Sequence, residues 1–322
     1  MPHPATGELI KTDEHLLVRL AWACEIQNLT QAEAAEAFGL TRLRVNRMLR
    51  DARARGIVRV SINSPLRPCV EIEDRLVKRF GLDTATVAPV GSGMRDDHTL
   101  IGAALGQFLT RFLGRKEVTL FGLAWGNTLN MATRFIEPLN RPDLEIVSAM
   151  GGLTKGSDVN IYEITTRLAE ICNAEHSYMT APVYASSQAS RTILQEQEVF
   201  RRSIEKIRAA DGLAMAAGAM ENSLLLADGL PEDVTSEDLV AAGAVGDIIG
   251  YFLDASGALI DHPINTRVLG ISLADLNTLP NVIVAAGGLR KVPIIRAVLR
   301  RECVNHLVTD EAAARVILDT DR

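Results

Sequence analysis

Seven short apolar runs between positions 84 and 310 constrain this chain most: "TATVAPV" (84–90), "VTLFGLA" (118–124), "EIVSAM" (145–150), "HSYMTAP" (176–182), "GLAMAAG" (212–218), "NVIVAAGG" (281–288) and "HLVTD" (306–310). Most are apolar along their length instead of alternating, so both faces of each strand must be covered. Stretches with helical spacing separate most of them, over 100–112, 161–172 and 188–209. Continuous apolar strands alternating with helices predict a doubly wound α/β domain around a buried parallel sheet. The segment "AVGDIIGYFLDASGALID" (244–261) breaks the alternation; it reads as a strand, a turn over 254–257 and a return strand, a hairpin beside the main sheet.

A different pattern fills the first 64 residues. Of the 322 residues, those up to Pro65 include nine Lys/Arg against seven Asp/Glu, a net of +2; the whole chain stands at −6, which leaves −8 for the rest. A basic segment ahead of an acidic body suits a small polyanion-binding module, residues 1–64, carried by a larger domain, residues 65–322. "HLLVRLAWACEI" (15–26) has the spacing of a helix packed in a small bundle. Thr30 with Glu33 makes a capping box for a second helix that ends near Gly39, and Thr41 can cap a third that runs to about Ala54. The short "AFGLT" between them allows only a tightly angled pair, the helix-turn-helix arrangement.

Seven arginines fall between positions 41 and 60, opposed within that window only by Asp51. On the third helix, Leu43, Val45, Met48, Leu49 and Ala52 are expected inward, with Arg42, Arg44, Arg47 and Arg50 outward. Guanidiniums bind phosphate and pair with guanine in the major groove, and Asn46 suits adenine. Thr41, Arg42, Arg44, Asn46, Arg47 and Arg50 are therefore the candidate DNA contacts. The competing reading, a merely solvated face, would normally interleave carboxylates at i,i+4. "IVRVSIN" (57–63) alternates like a short strand and would add a wing.

In an open α/β sheet ligands bind beyond the carboxyl ends of the strands. Three such loops carry glycine with small polar or cationic residues: "WGNTL" from Trp125, "MGGLT" from Met150 and "AGGLRK" from Ala286. Gly126 lets backbone approach a ligand, and Asn127 and Thr128 sit where a helix begins. Any one of these loops alone reads sooner as a plain turn glycine, but the three together predict a polar small-molecule site. "GLAWGN" is not the dinucleotide fingerprint, so no nucleotide cofactor is expected.

Cys24, Cys69, Cys172 and Cys303 lack CxxC spacing and read as buried thiols, and the six histidines show neither metal nor triad spacing. No metal or catalytic residue is assigned. No apolar run reaches the roughly 18 residues of a membrane span, and "MPHPATGELIKTDEH" lacks the regions of a signal peptide, so a cytoplasmic, non-membrane protein is expected.

The run "LTQAEAAEAFGLTRLRVNRMLRDARARGIVRV", "GLAWGNTL", "GG", "VGDIIGYFLDASG", "AGGLRKVPIIRAVLR" and "VNHLVTDEAAARVIL", in this order, resembles the SorC family of sugar-responsive bacterial transcription regulators. That resemblance implies a helix-turn-helix or winged helix-turn-helix DNA-binding domain joined to an effector domain with the fold of sugar-phosphate isomerases. It also implies assembly, usually as a tetramer, with operator DNA and a sugar, polyol or sugar phosphate as partners; the few phosphate contacts of one module by themselves lead to the expectation of a dimer or higher. By position it assigns effector contact to Trp125, Gly126, Asn127, Thr128, Gly151, Gly152, Asp247 and Lys291. Where the family's sugar-phosphate responders carry a polar loop, sometimes with an arginine, this chain has "AAGAMEN" (216–222), so a monophosphate or an unphosphorylated sugar or polyol fits better than a bisphosphate. The alternative is an isomerase-like enzyme with an accessory helix-turn-helix, for which Asp247 and Lys291 would be the acid–base pair, or Lys291 a Schiff-base nucleophile toward an aldehyde sugar.

Overall fold

The computed structural model describes residues 6–27, 29–58, 66–89, 97–153, 160–221 and 223–319. The chain divides into two compact units, Met1–Ser64 and Pro65–Arg322.

In the first unit, α1 (Thr6–Glu25), α2 (Gln31–Ala37) and α3 (Arg42–Ala54) close on a small core that includes the fully buried Leu20, Ala34 and Val45. The capping box forms: Glu33 N–H donates to Thr30 Oγ1 at 3.2 Å and Thr30 N–H to Glu33 Oε2 at 2.7 Å. Such a cap contributes about 1 kcal/mol. After α2 the chain reverses through Gly39 at φ 63°, and Leu40 N–H returns to Ala35 O at 2.8 Å. Thr41 then caps α3 by accepting from Arg44 N–H at 3.3 Å. Beyond Val58 the expected wing strand lies outside the described residues.

Leu43 departs from the inward placement read from the sequence, being 72% exposed. It precedes the buried Val45 by two positions, and at about 100° per residue two positions on a helix point to opposite sides. Val45, Met48, Leu49 and Ala52 form the buried stripe without it.

The second unit is built on seven parallel strands in the order β1 (Thr84–Ala88), β9 (His306–Asp310), β8 (Val282–Ala285), β5 (Gly212–Ala219), β2 (Leu120–Leu123), β3 (Glu145–Ser148) and β4 (Glu175–Ser177). Ala214 pairs with Leu123 on one side and Ile283 on the other, and all three are buried. Burial on both faces is why these runs do not alternate. From β2 the chain steps outward through β3 and β4, then returns to β5 and steps the other way through β8 to β9. The direction of winding therefore reverses between β2 and β5, side by side at the middle of the sheet.

Helix α4 (Arg67–Phe80) leads into β1, and α5 (Asp97–Leu113), α6 (Asn127–Ala132) and α7 (Ile161–Cys172) carry the crossovers in the first direction. Helices α8 (Gln188–Glu196) and α9 (Glu198–Arg208), the short α10 (Ser236–Ala241) and α11 (Leu273–Leu276), and α12 (Val292–Arg300) lie on the connections in the second; α13 (Glu311–Asp319) follows β9. Right-handed crossovers in opposite directions put their helices on opposite faces, which makes the sheet doubly wound.

Two boundaries differ from the sequence reading. The stretch 188–209 is two helices, because Gln197 takes an extended conformation, φ −66° and ψ 137°, between α8 and α9. In the inserted hairpin, β6 (Gly246–Ile248) pairs antiparallel with β7 (Tyr251–Leu253), so the reversal comes at Ile249 and Gly250, φ 43° and 84°. The Asp254–Gly257 segment is a later turn, closed by Gly257 N–H to Asp254 O at 3.0 Å and followed by a single bridge between Leu253 and Leu259. The sequence signal misled because Asp-x-x-Gly is the commoner turn chemistry, whereas β-branched Ile249 is unfavourable at positive φ. Ile249 is buried at 4% exposure, and its packing offsets that strain.

At the amino ends of β2 and β3, Arg141 is 7% exposed and donates to Arg115 O and Val118 O at 2.6 Å each and also to Leu113 O. It pairs with the half-exposed Asp143 at 2.8 Å. Cys69, Cys172 and Cys303 are buried as expected, while Cys24 is only half-buried.

Candidate functional site

The reversal between β2 and β5 opens a crevice at the carboxyl ends of the strands, and a cavity of about 390 Å³ occupies it. Its wall comes from the loop after β2, the end of β5 with the segment after it, the β6–β7 turn and the loop after β8. Trp125, Gly126, Asn127, Thr128, Asp247 and Lys291, six of the residues assigned to effector contact, line this one space.

Gly151 and Gly152 do not. Met150 reaches the cavity, but Gly151 turns away, its N–H bonded to Leu269 O at 2.8 Å, and Gly152 N–H bonds Ala181 O at 2.8 Å. A Cβ at Gly151 would overlap the Pro182 carbonyl, and one at Gly152 would press on Asn160 and Tyr162. Gly151 lets backbone pack on backbone, and Gly152 leaves room for the Asn160 and Tyr162 side chains.

The β6–β7 hairpin delivers Asp247. Its turn is held by Tyr184, whose hydroxyl donates to Gly250 O at 2.6 Å. Asp247 is 8% exposed and sits over Gly218 of β5, where any Cβ would overlap its carboxylate. Gly218 in "AAGAMEN" is thus the space into which the acidic group fits. Burial pushes the Asp247 carboxyl up from 3.8 to about 6, and the Gly250 N–H and the charge of Lys291 offset only part of that.

Opposite, Gly126 at φ 137° begins the turn into α6 and comes close to Ala216. His98, from the start of α5, places Nδ1 3.1 Å from Thr128 Oγ1. Gly288, at φ 85°, donates its N–H to the buried Asp310 at 2.5 Å, and Asp310 also accepts from Ala313 N–H at 2.9 Å. One carboxylate at the end of β9 thereby fixes both the loop that carries Arg290 and Lys291 and the start of α13. His98, Glu221, Ser223 and Arg290 complete the polar lining. Arg290 was legible as the neighbour of Lys291 in "GGLRK", whereas no local pattern marks His98, which reaches the site from another crossover.

A larger groove of about 620 Å³ lies between α9 and the ends of β3 and β4. Its cations are already matched, Lys206 with Glu145 at 2.7 Å and Arg202 with Glu198. That leaves the crevice as the better-built site. Among the described residues no group of His, Cys, Asp and Glu could hold a metal ion, and no helix is long and apolar enough to cross a membrane.

In the first unit, the outward face of α3 carries Arg42, Arg44, Arg47 and Arg50, all exposed, with Asn46 half-buried among them. Among the described residues none of these four guanidiniums has an ion pair. The two later arginines differ: Arg53 pairs with Glu25 at 2.8 Å, and Arg55 with Glu14 at 3.0 Å and Asp51 at 3.6 Å. Among the described residues, carboxylates supplied by α1 thus pair Arg53 and Arg55 and leave the four earlier arginines without an ion pair, a division no window of sequence could reveal. Thr41 spends its side-chain acceptor on the Arg44 N–H and keeps its hydroxyl proton for another partner.

Residues 64–319 match the family profile described as "Putative sugar-binding domain". The transcriptional regulator LsrR of Klebsiella pneumoniae is 32% identical over 317 residues, spanning 96% of this chain and 94% of its own. The chain belongs to this sugar-binding family of transcriptional regulators. The erythritol catabolism regulatory protein EryD of Brucella abortus is 28% identical to the regulator over 307 residues, covering 95% of this chain and 97% of that protein. The full-length sorbitol operon regulator SorC from Klebsiella pneumoniae shares the fold, with a TM-score of 0.68 at 24% identity over 96% of this chain and 100% of that one. The sequence similarity to LsrR, like the motif order, runs through both units of the regulator.

Proposed function

We propose that this regulator binds operator DNA through a helix-turn-helix formed by α2, the 38–41 turn and α3, and that a sugar, polyol or sugar phosphate held in the crevice sets the strength of that binding. The observation that carries the reading is the cavity: carboxylates from Asp247 and Glu221 and cations from Arg290 and Lys291 line one space, with Thr128, Ser223 and backbone N–H groups between them. Vicinal hydroxyls donate to carboxylates and accept from cations and N–H groups, and a single phosphate would be matched by the Arg290–Lys291 side. Trp125, Leu225 and Ile249 supply apolar surface for the C–H faces of a carbon chain. Because one relative is named for erythritol catabolism, short polyols are the first ligands to test. An isomerase reading would use the same Asp247 and Lys291, but the relatives are regulators, which favours binding over turnover.

A ligand that prefers one assembly of the regulator over another must shift operator occupancy by linkage. One α3 makes few phosphate contacts, so a dimer or tetramer presenting paired helices to two half-sites is part of the proposal, as is a cytoplasmic location.

The DNA half is tested by salt titration of operator affinity. Arg47→Ala is expected to weaken binding and to flatten the slope of log K against log salt by about one, as the loss of one phosphate contact does. Arg53→Ala, already paired with Glu25, should leave the slope unchanged. Equal slopes for wild type and Arg47→Ala would move the contact off this face.

A further inference from the structure

We propose that Leu43 reads a thymine methyl group in the operator, which makes it a determinant of sequence specificity; this rests on the reading that α3 enters the major groove. Leu43 is more exposed than any other large apolar side chain among the described residues, at 72%. It is the second residue of α3, and stepping about 100° per residue places it directly opposite the buried stripe of Val45, Met48, Leu49 and Ala52. Asn46, Arg47 and Arg50 share that outward face behind it, and Arg42 and Arg44 flank it on either side.

A single exposed leucine usually needs no explanation. This one is ringed by four guanidiniums that have no carboxylate partner among the described residues, whereas Arg53 and Arg55, further along the helix, are neutralised. A second copy of the chain would bring the same cations against them, so a contact between two such faces is disfavoured by charge. The complementary surface is anionic with a small apolar feature inside it. The major groove has that form: phosphates line its rims, and the C5 methyl of thymine is the apolar group on its floor. The first residues of a groove-bound helix are the ones that reach base edges. Leu43 stands there, with Arg47 one turn behind it to pair with a neighbouring guanine.

The test uses the full-length protein and duplexes selected from a randomised library, followed by replacement of each thymine in the selected site with uracil, which pairs identically but lacks the methyl. Burial of one methyl group is worth about 0.8 kcal/mol, or roughly fourfold in affinity. We expect one thymine per half-site at which uracil weakens wild-type binding about fourfold, and a Leu43→Ala variant that binds thymine and uracil duplexes alike at that position. Leu43 contributes nothing to the core, so the variant should melt with the wild type. Wild-type affinity indifferent to uracil at every thymine, or an equal loss in Leu43→Ala, overturns the assignment and leaves the DNA-binding reading standing. If the wild type selects no duplex above the random pool, that reading falls and takes this one with it.

Discussion

An Asp247→Asn variant should melt higher than the wild type above pH 7 and bind its effector about 10- to 100-fold more weakly. The stability half follows from the proton. In the unfolded chain the carboxyl titrates near 3.8, while burial under the hairpin raises it to about 6 in the folded regulator. Below pH 4 both states hold the proton and the group adds its full share to stability. Between about pH 4 and 6 only the folded state holds it, and above pH 6 the fold must bear a buried charge, so that share is lost as pH rises through the folded value. The gap corresponds to about 3 kcal/mol at about 1.36 kcal/mol per pKa unit. Asn removes the charge at similar volume, so it should recover up to that amount at pH 8, roughly 5–10 °C for a domain of this size, and nothing below pH 4. Thermal melts at pH 4 and pH 8 check the crossover. The functional half follows because a hydroxyl donating to a carboxylate gains about 1.5–3 kcal/mol, most of which an amide forfeits. Asp247 is then a group that costs stability in the empty protein and is kept for what it binds.

The opposite end of the sheet should respond the other way. Arg141→Met is expected to destabilise the second unit by about 3–5 kcal/mol, lowering its melting temperature by roughly 10 °C, because the buried carbonyls of Leu113 and Val118 lose their Arg141 donor in a place water does not replace it, while the exposed Arg115 carbonyl keeps the Val118 N–H. Methionine fills much of the stem's volume, so the loss reports hydrogen bonding more than packing. Asp143 is exposed and should contribute little, which Asp143→Asn tests as a control. Arg141 lies before β2 and β3 and the cavity beyond their far ends, so effector affinity at a temperature where the variant is folded should not change. Calorimetry for the first effect and titration for the second separate a structural arginine from a functional one.

Much of the fold was legible because burial on both faces leaves a direct trace: runs such as "NVIVAAGG" and "GLAMAAG" are short, do not alternate, and are flanked by stretches of helical spacing. Of the six expected effector residues that converge, Trp125, Gly126, Asn127, Thr128 and Lys291 follow strands that end at the crevice, and Asp247 arrives on the inserted hairpin. What failed depended on contacts between distant segments. Gly151 and Gly152 look like ligand-admitting glycines until Pro182 and Tyr162 arrive against them from elsewhere in the chain. Leu43 looks like core until the angle from Val45 is followed. Glu14 and Glu25 neutralise part of the arginine run from a helix some 30 to 40 residues earlier. His98 carries no local sign of its bond to Thr128. Asp247 was assigned from the resemblance alone, and the reason it can be buried, the missing side chain at Gly218, becomes visible only when β5 and β6 lie side by side.

The most direct measurement of the central claim is the affinity of the full-length regulator for a selected operator duplex, followed by fluorescence anisotropy with and without a panel of sugars, polyols and their monophosphates, in wild type and Asp247→Asn. At least one compound should change wild-type affinity fivefold or more, the range of ordinary coupling energies, and the same concentration should leave Asp247→Asn unmoved. A compound that raises the wild-type melting temperature and not that of Asp247→Asn, yet leaves operator affinity unchanged at saturation, would show the crevice occupied without consequence for DNA and contradict the account.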